Sequence, residues 1–193
     1  YTNEGDMIFS AQKSTPELVN FLSKYGRGLI CVPMEDDRLN ELSLGMMTVT
    51  NTSLHETAFT VSVDLRHGTT TGISASDRNK TIHALINRKT LPEDLGKPGH
   101  IFPLRSAPGG VLRRAGHTEA TVDLAKLAGH YPAGVLCEIM KENGEMARLP
   151  DLYEIAEKFD MKIISIKDLI HYRLEREKLI ENLVDTGLPS EFG

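Results

Sequence analysis

Apolar residues recur at helical spacing in five stretches of the chain. Pro16, behind Ser14 and Thr15, suits the first turn of the first predicted helix, and Gly129 suits the end of the third. The five helices are predicted over residues 17–25, 77–88 after the N-cap Ser76, 120–128 after the N-cap Thr118, 151–159 with Asp151 as cap, and about 167–183.

Short apolar or alternating runs between these helices predict strands. They cover residues 29–32, 59–64, 110–112, 134–140 and 161–166. The Asn143-Gly144 pair predicts a tight hairpin turn into residues 145–148. Residues 92–108 contain four prolines and two glycines with little periodicity, so we expect an ordered connection there.

The mixture of helices and strands predicts a single α/β (α+β) domain, with a mixed β-sheet flanked by helices. We assign this domain to residues 1–184. Residues 185–193 are turn-forming and carry no core pattern, which is typical of a linker-like tail. A further domain is expected to follow such a tail.

Composition narrows the class of function. The 193 residues are 40% hydrophobic and carry a net charge of −5 without a long run of either sign. This pattern gives no electrostatic footprint for nucleic acid or an acidic membrane, and no apolar stretch is long enough to span a bilayer. Cys31 and Cys137 lie in apolar runs without metal-type spacing, which favours reduced thiols in a cytoplasmic protein. Small-molecule chemistry is the better expectation.

The residues 114–119 concentrate chemistry in one short stretch. Arg114, Gly116, His117, Thr118 and Glu119 supply a cation, a flexible backbone, an imidazole, a hydroxyl and a carboxylate. The stretch precedes a predicted helix, whose first free N–H groups and positive dipole end attract anions. We therefore predict a phosphate site formed by Arg114, Thr118 and the helix start.

The carboxylates have competing interpretations. Glu119, in the first turn of the predicted helix, is fully explained as a residue that stabilises the helix dipole. Glu138 follows an apolar strand, where an unpaired carboxylate is costly, so it is either a functional acid or half of a structural ion pair. Glu4 and Asp6 flank Gly5 and could form a functional cluster or only a turn.

Several motifs, in order along the chain, resemble the 3,4-dihydroxy-2-butanone 4-phosphate synthase family. The resemblance runs from Asn3 to about Arg173 and rests on Asn3-Glu4-Gly5-Asp6, Thr71-Gly72-Ile73-Ser74-Ala75, Arg78, residues 98–104, residues 109–112, residues 116–120 and residues 133–138. It implies the conversion of ribulose 5-phosphate to 3,4-dihydroxy-2-butanone 4-phosphate and formate in riboflavin biosynthesis. It also implies a homodimer and Mg²⁺ as the cofactor. Mn²⁺ is the alternative, since both ions suit oxygen ligands with one imidazole.

The resemblance assigns roles to individual residues. His117 matches the family's histidine metal ligand, residues 114–118 match its phosphate-binding loop, and Asp6 and Glu138 match its substrate-contacting carboxylates. Removing a proton next to a ketone needs such carboxylates, which makes Glu4, Asp6 and Glu138 the catalytic candidates. The tail around residues 188–189 is similar to the linker to a GTP cyclohydrolase II domain in bifunctional members.

For Thr71 and His100, both in predicted loops, the sequence allows either a functional or a structural role. Thr71 either contacts a substrate hydroxyl or only shapes its turn. His100 is either held by backbone contacts or serves the active site of a neighbouring subunit, because in related enzymes that site lies near a two-fold interface.

The amino end departs from the family pattern, which reads Arg-Glu-Asn-Glu-Gly-Asp after an acidic run, a helix and a strand. Tyr1 and Thr2 stand where Arg and the metal-binding Glu are expected. Either these residues are foreign to the domain, or the chain is a variant with a weakened metal site. A hydroxyl is a poor Mg²⁺ ligand, so we expect low or no synthase activity from the chain as written. The alternative functions are a silent domain that supports a fused GTP cyclohydrolase II, and a phosphate-binding module.

Overall fold

A computed structural model describes residues 4–177 of the chain. Residues 1–3, the predicted tail 185–193 and the end of the last predicted helix lie outside the described residues. The domain limits at 184 and 185 therefore stay a prediction.

The described residues form a five-stranded mixed sheet with the strand order β1-β5-β2-β4-β3. Its strands are β1 (Asp6–Ser10), β2 (Cys31–Met34), β3 (Val63–Leu65), β4 (Leu95–Arg105) and β5 (Gly134–Glu138). Strands β2 and β4 are parallel, and all other neighbours are antiparallel. The prediction of a single α/β domain with a mixed sheet is confirmed.

Six α-helices flank this sheet in the described part of the chain. They are α1 (Pro16–Phe21), α2 (Asp36–Glu41), α3 (Ala75–Ile86), α4 (His117–Leu127), α5 (Leu149–Phe159) and α6 (Ile166–Arg176). A π-helical turn, Leu22–Gly26, extends α1 and completes the first predicted helix. Thr15 caps α1 by accepting a hydrogen bond from the backbone of Leu18 at 3.3 Å.

The two faces of the sheet are covered differently. Val19 and Leu22 of the first helical segment and Ile82 and Leu85 of α3 belong to the main core, together with Val32 of β2. On the opposite face α4 packs over the start of β5, where a Cβ on Gly134 would lie 2.3 Å from the methyl carbon of Thr121. Because strand side chains alternate, this second face also carries Asp6, the first residue of β1, and Glu138, the last residue of β5.

The expectation of no regular element over residues 92–108 is wrong, because β4 spans Leu95–Arg105. Prolines usually interrupt central strands since they donate no ladder hydrogen bond. Pro98 avoids this cost because β4 pairs with β3 at Gly96 and next at Ile101, so that residues 97–100 fall in a register shift. The carbonyl of Pro103 still accepts from the backbone N–H of Thr60 at 3.0 Å.

Three predicted strands need correction. Residues 110–112 form a 3-10 helix, since Gly109 and Gly110 adopt positive φ angles of 94° and 63° and turn the chain. No strand forms over residues 161–166, where Ile163 and Ile164 stay 43% and 54% exposed. The strand predicted over 59–64 is reduced to β3, with isolated bridges at Phe59 and Thr60.

The predicted N-caps lie close to the observed ones but are wrong in identity. Ser74, not Ser76, caps α3 by accepting from the backbone of Asp77 at 3.0 Å. Gly116, not Thr118, is the N-cap of α4. Helix α5 begins after Arg148, and Asp151 instead accepts from the Arg148 backbone N–H at 2.8 Å. Each shift reflects how weakly sequence alone fixes helix ends.

Candidate active site

Three of the predicted site residues converge where β1, β5 and α4 meet. Asp6 begins β1 and lies opposite Glu138, the last residue of β5. His117 is the first residue of α4, and its Nδ1 lies 3.3 Å from Oδ2 of Asp6. The Asp6 side chain is 7% exposed and the His117 side chain 42% exposed. A buried carboxylate thus holds an imidazole that faces solvent.

The charges in this cluster shift the protonation of His117 and Glu138. The hydrogen bond to Asp6 raises the pKa of His117, and the negative charges of Glu4 and Glu138 act in the same direction. Burial raises the pKa of Glu138, and the nearby Asp6 charge raises it further. A carboxyl whose pKa is raised towards neutrality is suited to accept and return protons.

The backbone of residues 28 and 29 fixes the direction of the Glu138 side chain. The N–H of Leu29 donates to Oε2 of Glu138 at 2.8 Å. A Cβ on Gly28 would lie 2.5 Å from the same oxygen. Gly28 is therefore required for the close approach of this carboxylate.

We expect Gly28→Ala to displace the Glu138 carboxylate. The rate of a reaction that uses this carboxylate should fall roughly tenfold or more, because a misplaced catalytic group loses its alignment. The free energy of unfolding should fall by about 1–3 kcal/mol from overpacking. Gly45→Ala is the matched control, since nothing lies within 4 Å of a Cβ built there. Equal activity of the two variants would contradict this role of Gly28.

Glu4 lies beside the cluster rather than within it. Its carboxylate accepts a hydrogen bond from Nη1 of Arg148 at 3.0 Å. Its charge still contributes to the raised pKa of His117. The catalytic role expected for Glu4 stays a prediction.

The structure corrects the interpretation of Glu119. Its side chain is 1% exposed, and its Oε2 accepts from Nη1 of Arg114 at 2.7 Å. Its Oε1 accepts from the backbone N–H of Ala107 at 3.0 Å. Glu119 is thus the buried partner of the predicted phosphate-binding arginine, and more than a residue that stabilises a helix dipole.

Arg114 also joins two loops. Its Nη2 donates to the carbonyl of His55 at 2.9 Å, while Nη1 holds Glu119. An arginine has five N–H donors, so these two contacts leave donors for a phosphate.

The start of α4 offers backbone donors next to Arg114. Its N-cap, Gly116, provides no side-chain cap for the first N–H groups of the helix. A Cβ on Gly116 would lie 2.2 Å from Nη1 of Arg114, so only glycine at this position leaves room for the Arg114 guanidinium. Thr118 lies within the helix and is buried. The arrangement suits an anion bound by a helix start and an arginine.

His100 lies in β4, and Thr71 lies in the loop between β3 and α3. Nδ1 of His100 lies 2.7 Å from Oδ2 of Asp64. Thr71 is exposed in a loop whose neighbours, Thr70 and Gly72, donate to the buried carboxylate of Asp77. The sequence analysis did not select Asp64 as a candidate, although a carboxylate at the end of an alternating strand can indicate a site residue.

The side chains around His117 could supply a divalent cation with only a few protein ligands. Among residues 4–177 no group of three or more His, Cys, Asp or Glu side chains is arranged to hold a metal ion. Mg²⁺ usually keeps several waters and takes only one or two protein carboxylates together with substrate oxygens. His117, with the carboxylates of Asp6 and Glu138 nearby, fits such a sparse site.

No helix within residues 4–177 is both long and apolar enough to cross a membrane. Cys31 and Cys137 are both buried and free, as expected for reduced thiols.

The described residues form a mixed α/β domain in which an arginine and a helix start lie beside an acid–imidazole pair, and comparison with known proteins identifies the family. A sequence profile of 3,4-dihydroxy-2-butanone 4-phosphate synthase matches residues 1–172. The chain belongs to this family.

Individual relatives agree with this assignment. Riboflavin biosynthesis protein RibBA of Cytophaga hutchinsonii is 61% identical over 192 residues, which are 99% of this chain and 47% of that protein. The chain thus spans about half the length of the curated relatives it matches.

Solved structures of the family share the fold. The Candida albicans 3,4-dihydroxy-2-butanone 4-phosphate synthase superimposes with a TM-score of 0.82 at 46% identity, covering 89% of this chain and 85% of that one. A synthase in complex with two magnesium ions superimposes with a TM-score of 0.85 at 38% identity, covering 90% and 86%.

Proposed function

We propose that this domain converts ribulose 5-phosphate to 3,4-dihydroxy-2-butanone 4-phosphate and formate in riboflavin biosynthesis. The observation that carries the proposal is the cluster of Asp6, Glu138 and His117 beside Arg114 at the start of α4. An acid pair, an imidazole and an anion site are the parts that this reaction requires. Membership of the family supports the same activity.

Each part has a role in the proposed mechanism. Arg114 and the free N–H groups of α4 bind the substrate phosphate and fix its orientation. Glu138, whose pKa is raised by burial, removes a proton next to the ketone and later returns it. Asp6 orients His117 and contacts substrate hydroxyls. His117 would hold the divalent cation, which would supply stabilisation for negative charge that develops on substrate oxygens.

Formate release tests this proposal. Formate should appear from ribulose 5-phosphate at a low rate in the presence of Mg²⁺ or Mn²⁺, because Thr2 stands in place of a metal ligand, and it should fall to background with a chelator. Assaying the two metals side by side shows which one supports the faster turnover. In His117→Ala, added metal should no longer increase formate release. His171→Ala should still respond to metal, because that helical residue lies outside the cluster. Binding of the substrate without formate release would favour the silent or phosphate-binding domain instead.

Thr2 provides a separate prediction, because the family pattern has a metal-binding glutamate in its place. A carboxylate is a better Mg²⁺ ligand than a hydroxyl, so Thr2→Glu should increase formate release and tighten Mg²⁺ binding. The measurement is the Mg²⁺ titration of turnover for both proteins. An unchanged titration would contradict the expectation that Thr2 weakens the site.

We also propose that the domain forms a homodimer. Several large apolar side chains are exposed outside the main core, among them Met46, Met47, Val49 and Leu54, which are 39%, 47%, 106% and 91% exposed. Exposed apolar side chains of this size are typical of protein interfaces where they lie together on the surface. Light scattering at micromolar concentration should give twice the mass of the chain.

The remaining proposals concern the whole protein. Curated relatives are about twice as long as this chain, which supports a covalent fusion to a GTP cyclohydrolase II domain. The complete reading frame tests this directly. We propose a cytoplasmic location, supported by the free thiols.

A further inference from the structure

Two buried carboxylates of α4 hold the loop that runs from β4 to α4. Glu119 and Asp123 are four residues apart and therefore lie on one face of the helix, and their side chains are 1% and 7% exposed. Glu119 accepts from the backbone N–H of Ala107 at 3.0 Å, and Asp123 accepts from that of Val111 at 2.8 Å. The loop is thus fixed at two points before it reaches Arg114.

Each of these carboxylates has an arginine partner, and the two arginines come from different parts of the chain. Glu119 pairs with Arg114 of the loop itself at 2.7 Å. Asp123 pairs with Arg173 of α6, whose Nη1 lies 2.7 Å from its Oδ2. Nε and Nη2 of Arg173 donate to Glu177 at 2.6 Å each, so the guanidinium is held between two carboxylates. The last helix that the structure describes therefore neutralises a carboxylate that anchors the loop.

Arg173 also contacts the backbone of the loop directly. Its Nη1 carries two N–H groups, and it donates to the carbonyl of Gly109 at 2.9 Å as well as to Asp123. A Cβ on Gly110 would lie 2.1 Å from Oδ1 of Asp123. The turn therefore needs glycine where the Asp123–Arg173 pair packs against it.

One peptide group connects this pair to the backbone of Arg114. The carbonyl of Gly110 and the N–H of Val111 belong to the same planar peptide group, so the direction of one sets that of the other. The N–H of Val111 donates to Asp123, while the carbonyl of Gly110 accepts from the backbone N–H of Arg114 at 3.1 Å. A displacement of Asp123 would therefore turn the group to which the Arg114 backbone is bonded.

We propose that Arg173 is a positioning residue of the phosphate site, which pairs with Asp123 and holds the Gly109 carbonyl so that Arg114 reaches the substrate phosphate. This inference rests on the proposed synthase activity and on the phosphate role of Arg114 within it. Arg173 acts through the loop and does not touch the substrate. The free N–H groups at the start of α4 remain in place without it, so its loss weakens substrate binding without abolishing it.

A purely structural role is the competing explanation, in which Arg173 only docks α6 against the rest of the domain. The helix has an apolar contact that serves this purpose, because Leu169 is buried in a cluster with Val111 and Ala120. A docking residue affects the stability of the fold. A positioning residue affects KM, and it does so only while Arg114 is present.

Steady-state kinetics with ribulose 5-phosphate is the first measurement, in whichever background is more active, the unmodified chain or Thr2→Glu. Arg173→Met should raise KM about fivefold or more with kcat within about twofold, because the lost phosphate contact binds the ground and transition states alike. Arg173→Lys, which keeps a cation beside Asp123, should recover part of the loss. Arg176→Met is the matched control, since it removes the same charge from an exposed position of α6. A KM equal to that of the control would overturn the proposal.

The same change in an Arg114→Met background tests whether Arg173 acts through Arg114. If it does, Arg173→Met should raise KM less than about twofold there, because the side chain that it positions is already absent. A residue that only docks α6 would change KM by the same factor in both backgrounds. That additive result would count against the positioning role.

Amide hydrogen exchange is the second measurement, and it needs no turnover. Arg173→Met should exchange the backbone N–H groups of Val111 and Arg114 about tenfold faster or more, because their acceptors are no longer held in place. The central residues of α4 should keep their exchange rates, as should the whole loop in Arg176→Met. Unchanged exchange at Val111 and Arg114 would refute the positioning role, whatever the activity. Faster exchange in a chain that releases no formate would instead refute only the proposed function.

A double variant covers the case in which Arg173→Met does not fold. Combining it with Asp123→Asn removes the unpaired buried charge and keeps an acceptor for the N–H of Val111. The Gly109 carbonyl still lacks its donor, so the KM should remain raised and the exchange at Arg114 faster than in the control. A double variant that matches the control in both measurements would overturn the proposal.

Discussion

Glu138→Gln should reduce formate release about 100-fold or more while leaving the fold intact. Glutamine keeps an oxygen that can accept from the backbone N–H of Leu29, so the side chain stays in place. It cannot take up a proton, and the loss of a general base typically costs this much in rate. Since burial raises the pKa of Glu138, the carboxylate is costly to bury, and the free energy of unfolding should be unchanged or slightly higher in the variant.

The measurement for Glu138 is kcat in whichever background is more active, the unmodified chain or Thr2→Glu, together with urea unfolding. Glu142→Gln is the matched control, because that carboxylate is 91% exposed and lies 3.5 Å from Arg27 at the surface. Full activity of Glu138→Gln would remove Glu138 from the mechanism. A large loss of stability would point to a structural ion pair instead.

Arg114→Met should damage both substrate binding and stability. The KM for ribulose 5-phosphate should rise about tenfold or more, because a charge-assisted contact to phosphate is lost. The Glu119 carboxylate would stay buried without its cation, which costs about 2 kcal/mol of unfolding free energy after allowance for the 35% exposure of the Arg114 side chain. Urea unfolding and steady-state kinetics measure the two effects.

A double variant separates these two effects. Arg114→Met combined with Glu119→Gln removes the unpaired charge while keeping an acceptor for the N–H of Ala107. The double variant should recover most of the stability but not the KM. Recovery of both would show that Arg114 acts on the substrate only through the fold.

Local signals predicted most of the helices and one contiguous stretch of the candidate site. Thr15 and Pro16 begin a helix because capping and proline geometry depend only on neighbouring residues. The stretch 114–119 was recognisable because its chemistry is contiguous in sequence. The misplaced caps of α3 and α4 are errors of two residues, within the range that local patterns leave undetermined.

Long-range pairing explains the errors. Pro98 and Pro103 argued against a strand, but β4 forms because β2 and β3 pair with it on both sides. Ile163 and Ile164 have the apolar run of a strand, yet they remain exposed and without a partner strand in the described part of the chain. A strand requires a neighbour, and a short sequence window does not contain it.

The sequence by itself determined the fold class, the family and most of the candidate site residues, because composition, periodicity and ordered motifs are properties of the chain alone. Only the tertiary structure decided which of those residues meet. Asp6 faces Glu138 through strand pairing, and Asp64 reaches His100 through a register shift. Both pairs join segments distant in sequence, and their geometry depends on how the sheet is assembled.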